Sequence, residues 1–334
     1  MDATAAPHQL CKRVHNLLAK RAFHVDAGNF EGMNFSDRTA PKLTAAAGGS
    51  LARELLLSEF SLDTTGLQRL HRLKEIIDFH PTIVNPALSA QDKSYYYQTL
   101  HDCLDAIAIV LDDITGEKDV EPFVVETFGE PAHRPPIRLS PAHRQFVRDE
   151  FKAVKDAGLA KSMHTPWASP CFPVPKPRSE KLRLVIDFRA LNLRTKRSSF
   201  PIPYIRDVVL KIGHLRIWTI VDLFSGFWQI PVDPASVEKL GCNTEEDLIV
   251  WLVLPFGPRN GPPHFQAVIN KAIAEDLLHD DVGAFIDDLA TGGFNHKESA
   301  EKARKMLQML GKRGLKAGAN KIHMGLTKIK FLGF

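Results

Sequence analysis

The chain has 334 residues, enough for two domains, and its hydrophobic fraction of 44% is ordinary for a globular protein. No stretch approaches the roughly 20 apolar residues of a membrane span, and no charged-then-apolar leader opens the sequence. The four cysteines are scattered without paired spacing, which is typical of reduced thiols in an intracellular protein. These properties argue against a membrane protein, a membrane partner and a disulfide scaffold.

The N-terminal third carries little functional information. Residues 1–60 are rich in alanine, glycine and polar groups, and we expect them to be poorly ordered. Leucine and isoleucine at helical spacing predict an amphipathic helix over residues 64–78. A second helix is predicted to begin at the cap Ser89 and to run through Leu111. Together they make residues 61–115 a helical segment of unknown role.

A proline-rich stretch follows at residues 116–139. Its prolines predict an extended linker rather than part of a core. Ser140 and Pro141 then supply an N-cap and a first helical residue, and Gly158 supplies a stop, so a helix is predicted between them. This helix begins the part of the chain that carries the chemistry.

The acidic motif within residues 282–295 is the most informative part of the sequence. A short apolar run is followed by the adjacent acids Asp287 and Asp288, a second apolar run and a glycine pair. Apolar runs bounded by glycine are typical of strands, so both acids are expected at the tip of a hairpin. Adjacent carboxylates repel each other, so such a pair is tolerated only in water or around a cation. Mg²⁺ takes oxygen ligands of this kind. A solvated acidic turn is the alternative.

A third acid strengthens the metal hypothesis. Asp222 ends a largely β-branched run, and a Ser-Gly turn with bulky aromatic residues follows it. Two strands that each carry acid at one end could bring Asp222, Asp287 and Asp288 within a few ångströms if the strands lie side by side. Two divalent ions about 3.5–4 Å apart are the usual arrangement for in-line displacement at phosphorus.

Between these acids, residues 254–266 read LPFGPRNGPPHFQ. With this block the chain closely resembles the reverse transcriptases of long-terminal-repeat retroelements of the Ty3/gypsy kind. Those proteins carry, in order, an LDL-x-SGY-x-QI strand, a PFG-x-x-NAP-x-x-FQ loop and helix, and a Y-x-DD hairpin. This chain has VDLFSGFWQI, then the block above, then FIDD. The match extends over roughly residues 135–334 in several ordered blocks, which is more specific than any single motif.

The resemblance implies an α+β fold, the fingers and palm of a right-hand polymerase, whose ferredoxin-like palm sheet has helices on one face. Residues 140–334 would form this module. It also implies an RNA-directed DNA polymerase, in which a primer 3′-hydroxyl attacks the α-phosphorus of a deoxynucleoside triphosphate with the help of two Mg²⁺ or Mn²⁺ ions. Because the chain stops at Phe334, we expect the family's thumb and RNase H regions to be missing and synthesis to be weak.

The resemblance further assigns roles to single residues. Metal binding falls to Asp222, Asp287 and Asp288, and Lys321 would protonate the departing pyrophosphate. The residues expected to contact the nucleotide are Lys181, Arg183, Phe227, Phe256 and Gly257. The residues expected to contact template or primer are Arg189, Asn192, Asn260, Pro262, Phe265 and Gln266. Among them, Phe227 would exclude ribose by filling the space of its 2′-hydroxyl. Taken singly, the basic residues could equally be surface charges.

Charge is unevenly distributed along the chain. Residues 222–288 carry twelve acids against three bases, residues 171–216 carry eleven bases against three acids, and residues 301–330 carry nine bases against one acid. Basic flanks around an acidic centre suit a protein that holds nucleic-acid backbones beside a metal site. The alternative explanation, that these are solvated surface charges, fits the counts equally well. The alternative function is therefore a catalytically inactive retroelement-derived fragment that binds nucleic acid.

The partners expected from the resemblance are an RNA or DNA template with its primer, deoxynucleoside triphosphates and other parts of a retroelement polyprotein. The expected location is intracellular, in cytoplasmic virus-like particles or in the nucleus. The chain departs from the family pattern at several places: Phe285 replaces the usual Tyr, Gly261 replaces Ala or Ser, and residues 243–248 are acidic where aromatic residues are common. None of these departures removes an expected metal ligand.

Overall fold

The computed structural model describes residues 64–176 and 181–333. The chain divides into two compact units between Glu75 and Ile76. The expectation for residues 1–60 lies outside the described residues. Helix α1 (Thr64–Phe79) begins in the first unit and agrees with the predicted helix to within one residue. All other elements belong to the second unit.

Six further α-helices lie in the described part of the second unit. Their bounds are α2 Ala90–Asp102, α3 Pro141–Asp156, α4 Arg189–Arg194, α5 Ile205–Ile212, α6 Gly261–Glu275 and α7 His296–Lys312. Ser89, Ser140 and Asn295 begin α2, α3 and α7, since each side chain accepts a hydrogen bond from the backbone N–H three residues later. Within 64–176 and 181–333, no helix is both long and apolar enough to cross a membrane.

Ten strands form two five-stranded sheets in the described residues. Their bounds are β1 Ile107–Ala108, β2 Ala160–Ser162, β3 Ser169–Pro175, β4 Leu182–Ile186, β5 Ile217–Leu223, β6 Gly241–Asn243, β7 Leu248–Trp251, β8 Val282–Phe285, β9 Asp288–Gly293 and β10 Ala317–Leu326. Sheet 1 has the order β1-β10-β5-β9-β8, and sheet 2 has the order β2-β7-β6-β3-β4. The β1–β10 and β3–β6 pairs are parallel, and the other pairs within these sheets are antiparallel.

Alternation along the central strand β5 separates the two faces of sheet 1. Its odd-numbered residues are buried, whereas Trp218, Ile220 and Asp222 are partly exposed and point to the other face. Helix α7 packs on the buried face. On the face that carries Asp222, the short helix α5 packs against Ala290 of β9. The expected layer of helices on one face is therefore present, and α5 adds cover on the other.

The helical segment predicted at residues 61–115 is not a separate body. Residues from Ile76 onwards belong to the same compact unit as residues 140–333. Helix α2 ends at Asp102, before the predicted Leu111, and β1 then pairs with β10 at the edge of sheet 1. The prediction of a longer helix is wrong because burial in this distant pairing outweighs local helical spacing.

The proline-rich stretch 116–139 is not a free linker either. Phe123, Val125 and Ala132 are buried, although the prolines keep the backbone extended. Backbone hydrogen bonds join the stretch to Arg313, Pro231, Arg194 and Ala168. The prediction that it lies outside the core is therefore wrong, because apolar side chains between the prolines anchor it. We call residues 116–139 the strap.

Candidate active site

Three acids meet at one end of sheet 1. Asp222, the penultimate residue of β5, pairs directly with Asp288, the first residue of β9. Asp287 lies in the turn between β8 and β9, as the sequence predicted. Its carbonyl oxygen accepts a hydrogen bond of 3.2 Å from the backbone N–H of Leu223, which ties the turn to β5. The prediction that two acid-ended strands lie side by side is confirmed.

The electrostatics of this corner reflect crowded negative charge. Burial, and then the charges of Asp287 and Asp222, raise the pKa of Asp288 to about 6. Burial also raises the pKa of Asp222, and a hydrogen bond from Lys321 opposes that rise. Lys321 Nζ lies 2.8 Å from Asp222 Oδ1. An ammonium group from β10 thus compensates part of the charge of the acids.

The chemistry of these donors fits a divalent metal ion. Carboxylate oxygens are the ligands that Mg²⁺ and Mn²⁺ take, and the Lys321 ammonium already contacts Asp222 as a cation. The side chains are nevertheless not gathered around one point: among the described residues, no three of His, Cys, Asp and Glu are grouped closely enough to hold an ion. The backbone brings the acids together, and the Asp222 side chain would have to turn from Lys321 for the three acids to share an ion.

The turn that presents Asp287 is strained and closely packed. Ile286 has φ +57°, a left-handed conformation that a β-branched residue rarely adopts. Its N–H donates a hydrogen bond of 2.7 Å to Gln266 Oε1. On the other side, a Cβ at Gly226 would lie 3.1 Å from Asp287 Cβ and 3.3 Å from the Phe265 ring. The Ser-Gly turn after β5 therefore makes room for the acid hairpin.

Phe265 and Gln266 lie in α6 with no exposed surface. Both are at 0% exposure. The Phe265 ring packs against Phe227 with centroids 5.3 Å apart, and Gln266 Nε2 donates to Asn270 Oδ1. Neither side chain has exposed surface in this structure, so the expected template contact of both residues stays a prediction. The Phe265 ring lies beside the turn at Gly226, and Gln266 contacts the backbone of the turn that carries Asp287.

Two of the predicted nucleotide contacts form one aromatic stack. The rings of Phe227 and Phe256 have centroids 5.1 Å apart and planes 18° apart. Phe227 is 7% exposed and Phe256 is 53% exposed, so Phe256 presents the open aromatic surface. Gly257 has φ +116°, and a Cβ there would lie 3.0 Å from the Phe188 ring. Glycine is thus required at this position by the packing of the protein itself.

The two predicted asparagines hold the loop before α6 in place. Asn192 donates to the Gly257 carbonyl and accepts from the Arg259 N–H. Asn260 accepts from the Ser198 N–H and donates to a neighbouring carbonyl. Both side-chain amides therefore act within the protein, linking this loop to α4 and the segment after it. Pro262 lies in the first turn of α6.

The predicted basic contacts lie in and beside sheet 2. Arg183 is exposed on β4, the edge strand, and Lys181 lies just before it. Arg189 forms a two-point ion pair with Asp187, with both N···O distances 2.7 Å, while its side chain remains 78% exposed. The acids lie at one end of sheet 1, whereas these bases lie in and beside sheet 2.

The acidic turn after β6 has a structural use. Glu245, Glu246 and Asp247 form ion pairs with three bases of α3. Those bases are Arg144, Arg148 and Lys155. Bases of α3 therefore balance part of the acid excess between residues 222 and 288, and these acids are separate from Asp222, Asp287 and Asp288.

Comparison with known proteins decides which family this segment represents. The sequence profile described as "Reverse transcriptase (RNA-dependent DNA polymerase)" matches residues 174–334. Residues 174–334 form a reverse transcriptase domain. The resemblance inferred from the sequence motifs is thereby confirmed for this segment, and membership of the family implies dependence on a divalent metal in general.

Related polyproteins are much longer than this chain. The chain is 28% identical over 263 residues to the retrovirus-related Pol polyprotein from transposon opus of Drosophila melanogaster, covering 75% of the chain and 26% of that polyprotein. It is 29% identical over 234 residues to the transposon Tf2-3 polyprotein of Schizosaccharomyces pombe, covering 66% of the chain and 17% of that polyprotein. The chain thus spans about a quarter or less of the length of these relatives.

Solved structures share the fold of this chain. The foamy viral protease-reverse transcriptase in complex with RNA/DNA hybrid matches with a TM-score of 0.69 at 18% identity, covering 79% of this chain and 34% of that chain. The dRH form in complex with double-stranded DNA also has a TM-score of 0.69, at 19% identity, covering 79% of this chain and 45% of that chain. The predicted α+β fingers-and-palm fold is confirmed.

Three features of the site were not predicted from the sequence: the Gln266 contact to the acid turn, the clearance at Gly226 and the ion pair between Lys321 and Asp222. One signal was available for the first. Phe265 and Ile269 mark the buried face of α6, and a glutamine beside them must find a hydrogen-bond partner in the interior. The other two depend on contacts between distant segments.

Proposed function

We propose that this domain is an RNA-directed DNA polymerase that adds deoxynucleotides to a primer 3′-hydroxyl. The observation that carries the proposal is the meeting of Asp222 and Asp288 on neighbouring strands, with Asp287 in the adjoining turn. Burial, and then the charges of Asp287 and Asp222, raise the pKa of Asp288, and bound cations would relieve the repulsion between these carboxylates. Family membership and fold support the same reaction class.

Asp222 and Asp287 would hold two Mg²⁺ or Mn²⁺ ions, with Asp288 as a looser ligand. The ions, when bound, would neutralise charge that develops on the phosphate oxygens. In the reaction the primer 3′-hydroxyl would lose its proton to water, a bond would form between O3′ and the α-phosphorus, and the bond from that phosphorus to pyrophosphate would break. Lys321, released from Asp222, would donate a proton to the departing pyrophosphate. This role is supported by its position beside the acids.

The remaining predicted residues would hold the substrates. Phe256, stacked on Phe227, would face the sugar of the incoming nucleotide, and the pair would leave no room for a 2′-hydroxyl. Lys181 and Arg183 would contact the triphosphate from sheet 2, since a guanidinium suits phosphate oxygens. Arg189 would contact a template phosphate. The titles of the foamy viral structures name bound double-stranded DNA and RNA/DNA hybrid, which supports a template with its primer as the partner here.

A primer-extension assay on the purified chain tests the proposal. Incorporation of deoxynucleotides should require Mg²⁺ or Mn²⁺ and should be abolished by Asp287→Asn. Asp276→Asn is the matched control, because Asp276 forms ion pairs with Lys312 and Arg313 at the end of α6. An Asp287→Asn protein that extends primers as well as the unsubstituted chain would refute the proposal.

Nucleic-acid binding without catalysis is the second candidate. Two observations favour it: Lys321 already neutralises Asp222, and the described residues hold no ready-made cluster of metal ligands. Salt-dependent binding of a primer–template duplex without metal-dependent extension would support this alternative. An intracellular location, in cytoplasmic particles or in the nucleus, and association with other polyprotein parts remain proposals.

A further inference from the structure

We propose that Gln266 is a positioning residue that holds the acid hairpin in its working geometry. The inference rests on the proposed function of the three acids. Gln266 touches none of them, but its buried side chain reaches the backbone of the turn that presents Asp287.

The turn needs an external hold because its conformation is costly. Ile286 has φ +57°, where the Cβ of an L-residue comes too close to backbone oxygen. A β-branched side chain makes this conformation still rarer. Such a residue keeps a left-handed conformation only when its surroundings impose it, and it relaxes when they do not. Relaxation at Ile286 would move the next residue, Asp287.

The side-chain amide of Gln266 makes two hydrogen bonds that together hold this turn. Its Oε1 accepts a hydrogen bond of 2.7 Å from the Ile286 N–H, and its Nε2 donates one of 2.9 Å to Asn270 Oδ1. The second bond fixes the amide so that its oxygen faces the turn. Because Gln266 is fully buried, water does not compete for this oxygen, and an unpaired Ile286 N–H would have no ready substitute.

The turn is attached on its other side to β5. The Asp287 carbonyl accepts from the Leu223 N–H, one residue after Asp222. The N–H of Ile286, one residue before Asp287, is thus held by α6, and the carbonyl of Asp287 itself is held by β5. When one attachment is lost, Asp287 can shift relative to Asp222, and a shift of about 1 Å at a catalytic group costs roughly 100-fold in rate.

Gln266→Leu tests the proposal, because leucine fills a similar volume without an acceptor. We expect faster amide hydrogen exchange at Ile286, measured by NMR on the full chain. We also expect kcat for primer extension to fall about 10- to 100-fold. KM for the nucleotide should stay within about threefold, since no predicted nucleotide contact is removed.

Thr99→Val is the matched control for general loss of stability. Thr99 is buried at 3% exposure, and its hydroxyl donates to the Ala300 carbonyl between α2 and α7, a contact that includes none of the acids. This variant should leave kcat and exchange at Ile286 unchanged. A kcat loss in Thr99→Val equal to that in Gln266→Leu would overturn the proposal.

A second substitution distinguishes a role of Gln266 in holding the strained turn from a role in filling the interior. Glycine adopts φ > 0 without strain, so an Ile286→Gly turn has less tendency to relax. Gln266→Leu should therefore reduce kcat less in the Ile286→Gly background than in the unsubstituted chain. Equal losses of kcat in the two backgrounds, or an unchanged kcat and exchange rate in Gln266→Leu, would overturn the proposal that Gln266 positions the turn. If the unsubstituted chain incorporates no nucleotide, the proposed function fails, whereas the exchange comparison still decides whether Gln266 holds the turn.

Discussion

Asp288→Asn is expected to stabilise the metal-free protein at neutral pH. The pKa of Asp288 is about 6 in the folded chain, against an ordinary value of 3.8. Below the lower value both the folded and unfolded states are protonated, and the carboxyl has no effect on stability. As pH rises through this window the unfolded state ionises first, so the folded state loses stability, and the loss is complete above about pH 6. Asparagine cannot ionise and avoids this loss.

The size of the effect follows from the pKa shift. A shift from 3.8 to about 6 corresponds to about 3 kcal/mol of unfolding free energy. Because Asp288 is only partly buried, screening by solvent reduces the expected gain to about 1–2 kcal/mol. For a chain of this size the gain would raise Tm by roughly 1–3 °C.

Thermal unfolding in the presence of a chelator measures this gain. The Asp288→Asn advantage should appear at about pH 7.5 and disappear at about pH 4. Asp276→Asn serves as a control of opposite sign: Lys312 and Arg313 lower the pKa of Asp276, so its charge contributes stability that is present at neutral pH and lost as pH falls through the folded-state pKa. An Asp288→Asn protein that is less stable at neutral pH, or whose advantage does not vary with pH, would refute the electrostatic account.

Three further predictions concern the site and the strap. Gly226→Ala should lower primer-extension kcat about tenfold or more in a steady-state assay, because the added Cβ would press on Asp287 at 3.1 Å; activity equal to that of the unsubstituted chain would argue against the clearance role. Lys321→Met should bind Mn²⁺ roughly fivefold more tightly in an EPR titration, because the ion no longer has to displace an ammonium group from Asp222, whereas kcat should fall; weaker Mn²⁺ binding would contradict this competition. Phe123→Ala should lower the unfolding free energy in urea by about 3 kcal/mol because the side chain is fully buried, whereas a free linker would show almost no change.

Local chemistry made much of the site predictable. The acid hairpin follows from two apolar runs around adjacent acids, and the start of α3 follows from Ser140 and Pro141. In both cases the deciding groups lie within a few residues of each other, so the pattern of the sequence contains them. The ordered motifs then indicated that Asp222 belongs beside the hairpin, and the pairing with Asp288 confirms it.

The sequence by itself predicted which residues carry the chemistry and that the acids lie on neighbouring strands, and only the tertiary structure decided how they are held. Gln266 was expected at the template, yet it is buried and accepts a hydrogen bond from a turn twenty residues away. Lys321 meets Asp222 across ninety-nine positions of chain. Phe123 anchors a stretch whose prolines indicate a linker. In each case the deciding interaction joins segments far apart in the chain, so its free energy depends on packing that local propensity and spacing do not contain.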